Sequence, residues 1–327
     1  MKVLEFEPFE IEFVNQTLLP LEEKFVKTDN YERIAEAIEK LEIRGAPLIG
    51  IAAVYALVLA IKKNGNSIFP KAYERLAKTR PTAVNLFWAL NEMKSLYENY
   101  QNSTKLLDIL LNKAIQIHND DKIMCDKIAE NGLQIFKKKS KILTHCNAGE
   151  LATGGIGTAL GVIKKAHEKG LVELVFVDET RPLLQGSRLT AYELEKYNIP
   201  FKVICDNMAA SLMYNKEINL IITGADRIAK NGDFANKIGT YSLAVLANYH
   251  KIPFYIAAPT TSIDYNILSG KEIIIELRKS EEILKINNIP ISKDVYNAYN
   301  PSFDITPSTL LSGIITENNL YTFPFKF

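Results

Sequence analysis

Residues 219–240 decide how the chain is read: Asn219-Leu220-Ile221-Ile222-Thr223-Gly224-Ala225-Asp226-Arg227-Ile228, closing with Asn236-Lys237-Ile238-Gly239-Thr240. The short apolar run at 219–222 predicts a buried strand. From Ile238 to about Tyr249 the pattern is helix-like. Asp226 is therefore expected just past the carboxyl end of a strand, in the loop that enters the next helix. Ligands of open α/β sheets bind there. The stretch carries Asp226, Arg227, Asp233, an Asn-Lys pair and three glycines. Two readings fit it: a turn whose Asp and Asn residues cap backbone groups, or one wall of a ligand site.

The flanking sequence places this stretch in a larger pattern. From Ser140 onward, short apolar runs alternate with helical stretches: Lys141–Thr144, Leu174–Val177, Lys202–Ile204, Leu220–Ile222 and Phe254–Ile256. That spacing is the one βα units produce, and it predicts a parallel sheet covered on both faces. The strand ends carry polar chemistry. The first leads to His145-Cys146-Asn147-Ala148-Gly149, the second to Asp178-Glu179-Thr180-Arg181 and on to Gln185-Gly186, the third to Cys205-Asp206-Asn207. One sheet edge would bring Cys146, Arg181, Gln185, Asp226, Asn236 and Lys237 to a single cleft. This convergence is the argument for an enzyme.

Upstream the texture differs. One or two short strands are expected in residues 1–20. Helical periodicity begins at Tyr31, breaks at Ile43-Arg44-Gly45-Ala46-Pro47 and resumes from about Pro47 to Lys63. It resumes again after Arg80-Pro81-Thr82-Ala83-Val84-Asn85-Leu86 and runs to about Gln134. The change of period and the lysines at 137–141 put a boundary near residue 138, giving domains 1–138 and 139–327. The apolar run Ile49–Ile61 falls short of the roughly 20 residues that cross a bilayer.

With 39 Lys and Arg against 38 Asp and Glu, the net charge is +1. That gives no electrostatic footing for nucleic acid or a membrane surface. Three cysteines form no disulfide framework, and a cytoplasmic location is expected. No two His or Cys residues sit at ligand spacing, so no metal is expected.

Gly154-Gly155-Ile156-Gly157 opening a helix offers amides to an anion or serves close helix packing, without a dinucleotide or Walker pattern. Arg44, Arg80, Arg181, Arg188 and Lys237 are the candidate phosphate partners. Cys146 lies where a thiol is activated or simply buried. Cys125 and Cys205 are expected as small buried hydrophobes. His145 is not expected to pair with Cys146, because strand neighbours point to opposite faces.

Together these motifs resemble the methylthioribose-1-phosphate isomerase family. Carrying the resemblance are Arg44–Pro47, Arg80–Leu86, His145–Gly149, Glu179–Gly186, Gly224–Ile228 and Asn236–Tyr241, with Pro301–Pro307 matching that family's C-terminal motif. The same fold occurs in ribose-1,5-bisphosphate isomerases and in regulatory subunits of the translation-initiation exchange factor, and close relatives act on 5-deoxyribose 1-phosphate. The resemblance implies a helical N-terminal domain followed by a Rossmann-like parallel-sheet domain, a homodimer, and no cofactor. It implies Asp226 as proton donor and Cys146 as its catalytic partner. It also implies that Arg44, Gly45, Ala46, Arg80, Gln185, Asn236 and Lys237 bind the sugar phosphate.

Overall fold

The computed structural model describes residues 1–327 except Pro8, Thr82, Asn287 and Asn288, so the motif position Thr82 lies outside the described residues. The chain forms two compact units. One is Met1–Asp126 with Gly149–Gly157, the other Lys127–Ala148 with Thr158–Phe327.

The first unit opens with an antiparallel sheet of β1 (Leu4–Glu7), β2 (Glu10–Val14) and β3 (Phe25–Thr28). Helices α1 (Tyr31–Glu39), α2 (Ala46–Asn64), α3 (Phe69–Ala77), α4 (Val84–Tyr100) and α5 (Leu106–Gly132) follow, the last crossing the boundary between the units. Asn30 starts α1 by accepting the Glu32 N–H on its side chain. Ile34, Ala35, Ala37 and Ile38 then face inward.

Helix α2 is apolar all round, and every residue from Leu48 to Ile61 is buried. At 19 residues and mean hydropathy 1.7 it is long and apolar enough to cross a membrane, longer than the Ile49–Ile61 run suggests. Yet 78% of its most apolar 18-residue window is buried inside the protein, which identifies a core helix packed by α1, α3 and α4. Gly45 begins it with φ +94°, and a Cβ there would lie 2.4 Å from Ala152 Cα. Only glycine makes that turn.

The second unit is built on a seven-stranded sheet. Its strands are β4 (Ser140–Thr144), β5 (Val172–Asp178), β6 (Phe201–Ile204), β7 (Leu220–Thr223), β10 (Phe254–Ala257), β15 (Gly313–Ile315) and β16 (Leu320–Tyr321). The order is β16-β15-β10-β7-β4-β5-β6, parallel throughout except for the antiparallel β15–β16 pair. All five strands expected after Ser140 are present. Alternation sends Leu143, Ile221 and Ile256 to one face, toward α8 (Ala209–Tyr214) and α9 (Thr240–His250). Ile142, Leu220 and Ile222 point to the other, with residues of α6 (Ala159–Glu168) and α7 (Ala191–Lys196). Both faces are covered, as a parallel sheet requires.

A second sheet, order β11-β8-β9-β14, comprises β8 (Arg227–Ala229), β9 (Phe234–Lys237), β11 (Ile263–Asp264) and β14 (Phe303–Thr306). It corrects one expectation. Asp226 does not run through a loop into α9, because the β8–β9 hairpin intervenes and places Asn236 and Lys237 on a strand. The hairpin turns at Asn231-Gly232, with Gly232 at φ +82°, and buries Ile228 and Phe234. A short helix α10 (Glu281–Leu284) and the paired β12 (Lys285–Ile286) and β13 (Ile289–Pro290) complete the unit.

Candidate active site

The strand order fixes where chemistry can gather. From β4 the chain steps to β5 and β6 on one side, then returns to β7 on the other side of β4. The crevice beyond the carboxyl ends of β4 and β7 is thus the topological switch point, the usual ligand position in such sheets. Cys146 follows β4 and Asp226 follows β7. Ile142 and Leu143 pair with Leu220 and Ile221, so the two exits run side by side. A Cβ on Gly224 would lie 2.9 Å from Ala148 Cβ, so the two loops touch immediately past the strands.

Cys146 is half-buried and has φ +62°, a left-handed backbone that something must hold. Two threonines hold it. Its N–H donates to Thr180 Oγ1 at 2.9 Å, and its carbonyl accepts from Thr190 Oγ1 at 2.6 Å. Asn147 beside it donates to Glu193 Oε1 at 2.8 Å and to Thr190 Oγ1 at 3.3 Å.

Both threonines flank Gln185, which is 7% exposed and whose Oε1 has no hydrogen-bond partner among the described residues. A buried acceptor left over in this way suits a ligand donor. Gly186 sits so close to the Asp178 carbonyl that a Cβ would fall 1.7 Å from the oxygen.

Asp226 is half-buried, and its N–H donates to the Ala235 carbonyl at 2.9 Å. Asn236 and Lys237, only 4% and 7% exposed, therefore start immediately beside it. Asn236 Nδ2 donates to Thr240 Oγ1 at 2.9 Å. Lys237 Nζ donates to the Ser302 carbonyl at 2.9 Å and lies 4.8 Å from the Phe303 ring centroid. Asp304 closes this end of α9, accepting the Gly239 N–H at 2.7 Å and the Tyr241 N–H at 3.1 Å. Burial pushes the Asp304 carboxyl up, against those two amides.

These contacts bring Cys146, Gln185, Asp226, Asn236 and Lys237 to one end of the sheet. Arg44, Gly45, Ala46 and Arg80 belong to the first unit, where Gly45 and Ala46 start α2 and Arg80 lies in the turn before α4. Arg181 is committed elsewhere: its guanidinium donates to the carbonyls of Pro182 and Ile283. The glycine run at 154–157 serves packing. The Gly154 N–H is taken by Asp121, and a Cβ on Gly154 would lie 2.6 Å from His118 Cδ2.

Cys125 is buried, and burial pushes its thiol up. Cys205 corrects an expectation: it is exposed at the end of the edge strand β6, and the Glu179 charge raises its thiol. His145, Asp178 and Asp206 offer metal-type atoms within 4.8 Å of one another. Both His145 nitrogens and both Asp206 oxygens are nevertheless engaged in hydrogen bonds. Thr180 and Asp304 lie within the motif stretches but were given no role of their own, and Thr190 lies outside them. A threonine or aspartate that bonds main chain far away in sequence leaves no local signature.

The model of the initiation factor 2 subunit family matches residues 42–322. The chain belongs to that family. It is similar to a methylthioribose-1-phosphate isomerase of Caldicellulosiruptor saccharolyticus, 50% identical over 100% of this chain and 97% of that one. In structure it is similar to 5-methylthioribose 1-phosphate isomerase from Pyrococcus horikoshii OT3. There the TM-score is 0.93 at 44% identity, over 99% of this chain and 93% of that one. It is also similar to the translation initiation factor eIF-2B subunit delta from A. fulgidus, with TM-score 0.87 and 35% identity over 99% and 96% of the two chains.

Proposed function

We propose that this protein isomerises 5-methylthioribose 1-phosphate to 5-methylthioribulose 1-phosphate, a step of methionine salvage. The observation that carries the reading is the exit of Cys146 and Asp226 from adjacent parallel strands at the switch point, with Asn236 and Lys237 beside Asp226. Full-length likeness to isomerases of that name supports the substrate.

An aldose 1-phosphate is a closed acetal with no free carbonyl. Opening its ring with phosphate kept on C1 requires a proton on the departing ring oxygen, and Asp226 supplies it. Hydrogen then moves from C2 to C1. Cys146 removes a proton either from O2, as hydride crosses directly to C1, or from C2 itself to give an enolate. Deuterium at C2 distinguishes them: full retention at C1 excludes the enolate route with solvent exchange.

Gln185, Asn236 and Lys237 bind the sugar phosphate, as do Arg44, Gly45, Ala46 and Arg80 of the first unit. For the latter group the support is that α2 begins at Gly45 with no side-chain cap and no acidic residue in its first turn, which suits phosphate. We also read the chain as a mainly helical domain, residues 1–138, followed by a Rossmann-like catalytic domain, 139–327. It is read as a cytoplasmic homodimer that needs no cofactor. Light scattering should return twice the 36.8 kDa chain mass.

The deciding assay offers 5-methylthioribose 1-phosphate, 5-deoxyribose 1-phosphate and ribose 1,5-bisphosphate to the wild type and to Asp226→Asn. Preference for the methylthio sugar, lost in the variant, supports the reading. Preference for another sugar keeps the chemistry and changes the pathway. Turnover of none of them leaves a binding protein on this fold.

A further inference from the structure

His145 is not used by the chemistry above, yet it sits at its centre. The residue is 2% exposed, and both ring nitrogens face acceptors. Nδ1 lies 2.9 Å from Asp178 Oδ2, and Nε2 lies 2.9 Å from the Ile238 carbonyl oxygen. A carbonyl accepts only, so Nε2 carries a proton. Where Asp178 is ionised its carboxylate accepts only, and Nδ1 then carries one too. Gly239, at φ +106°, closes the main chain over the ring: a Cβ there would lie 2.9 Å from His145 Cε1.

The ring is therefore wedged between the end of β5 and the residues linking β9 to α9. One covalent step along the chain is Cys146, and one step before Ile238 is Lys237. Asp178 reaches Cys146 by a second path, since its carbonyl accepts from Thr180 Oγ1 and that same oxygen accepts the Cys146 N–H.

We propose that His145 and Asp178 are a buried positioning pair. The doubly protonated imidazole, braced between the Asp178 carboxylate and the Ile238 carbonyl, holds the segment carrying Cys146 in register with the segment carrying Lys237. The inference rests on the isomerase reading of those two residues. It assigns the pair no contact with substrate; its effect is alignment of two reacting elements, where small displacements are costly in rate.

The charges around the ring agree with a retained proton. Asp178 and Glu179 at the end of β5, Asp206 after β6 and Asp304 on β14 are the titratable groups around this ring and its partner. Burial by itself would lower the His145 pKa, but the hydrogen bond and charge of Asp178, with Asp206 behind, outweigh it and raise it. Burial also lifts the Asp178 carboxyl, to about 6, while the hydrogen bond and charge of His145 pull it down.

The test has two arms. The sequence holds four histidines, His118, His145, His167 and His250, so nitrogen NMR on ¹⁵N-histidine protein reads each ring. At about pH 8, above the ordinary imidazole range, one ring should be doubly protonated, and its signal should vanish in His145→Gln. Four neutral rings would overturn the proposal.

The second arm is kinetic, on whichever of the three sugar phosphates the wild type turns over. His145→Asn keeps a donor near Asp178, and His145→Gln keeps one near Ile238. Each should lower kcat about tenfold or more with KM moved less than about threefold. Asp178→Asn allows both hydrogen bonds around a neutral ring and should recover most of kcat. Wild-type kcat in both His145 variants overturns this proposal alone. A wild type inactive on all three sugars overturns the isomerase reading itself, and the positioning role with it.

Discussion

Cys146 shows how a single residue depends on neighbours far along the chain. Its left-handed backbone is fixed by Thr180 and Thr190, 34 and 44 residues away in sequence. Replacing its thiol tests the chemistry and leaves that scaffold in place. Cys146→Ala should fold like the wild type and lose about 10²–10⁴-fold in kcat, the range for a missing acid–base group. Turnover assays with a melting curve check both halves.

Gly186 tests the scaffold instead. A Cβ would fall 1.7 Å from the Asp178 carbonyl oxygen, and that neighbour is main chain, which cannot swing away. Gly186→Ala should cost about 3 kcal/mol or more by overpacking, read by urea unfolding. An unchanged midpoint would mean that the approach is not obligatory.

Among elements, the β8–β9 hairpin and α9 are the pair to watch. β14, from the far C-terminal region, lies alongside β9 with Asp304 opposite Asn236, and its Asp304 carboxylate caps α9. The C-terminal motif therefore acts as a support for Asn236 and Lys237. Asp304→Ala removes two amide partners at the helix start, which should destabilise the protein by about 1–2 kcal/mol. Because Lys237 also leans on the Ser302 carbonyl, KM for the sugar phosphate should rise more than kcat falls. A variant with unaltered KM would separate the cap from binding.

Element types were largely legible beforehand. The five parallel strands, the helices and α2's apolar character follow from periodicities of two and 3.6, which are local. The hairpin was not, although Asn231-Gly232 is a turn signal. Its strands are only three and four residues long, and they exist because β11 and β14 pair with them.

At the scale of the whole molecule, the buried His145–Asp178 pair ties stability to pH. The His145 pKa is raised in the folded state, so the native protein holds a proton that the unfolded chain releases above about 6.5. More protons bound in the native state means that stability falls as pH rises. The His145 contribution is complete below about pH 6.5 and fades as pH climbs through the raised value, with a limiting slope of about 1.4 kcal/mol per pH unit per proton; the raised Asp178 carboxyl adds a slope of the same sign at lower pH, up to about 6. Urea midpoints from pH 6 to 9 should slope downward in the wild type and flatten in His145→Gln. Parallel slopes would place the titration elsewhere.

The sequence by itself determined the enzyme reading. Its motifs named Cys146, Asp226, Gln185, Asn236 and Lys237, because a reaction demands particular side chains and those are written residue by residue. Only the tertiary structure decided what surrounds them. It decided that His145 is spent on Asp178 and Ile238, Arg181 on two carbonyls, Gly154 on Asp121, and that Cys205 faces solvent. Hydrogen bonds that span 33 to 102 positions, as from His145 to Asp178 and from Arg181 to Ile283, depend on how strands are ordered in a sheet. Strand order is set by packing the whole chain, and no local pattern carries it.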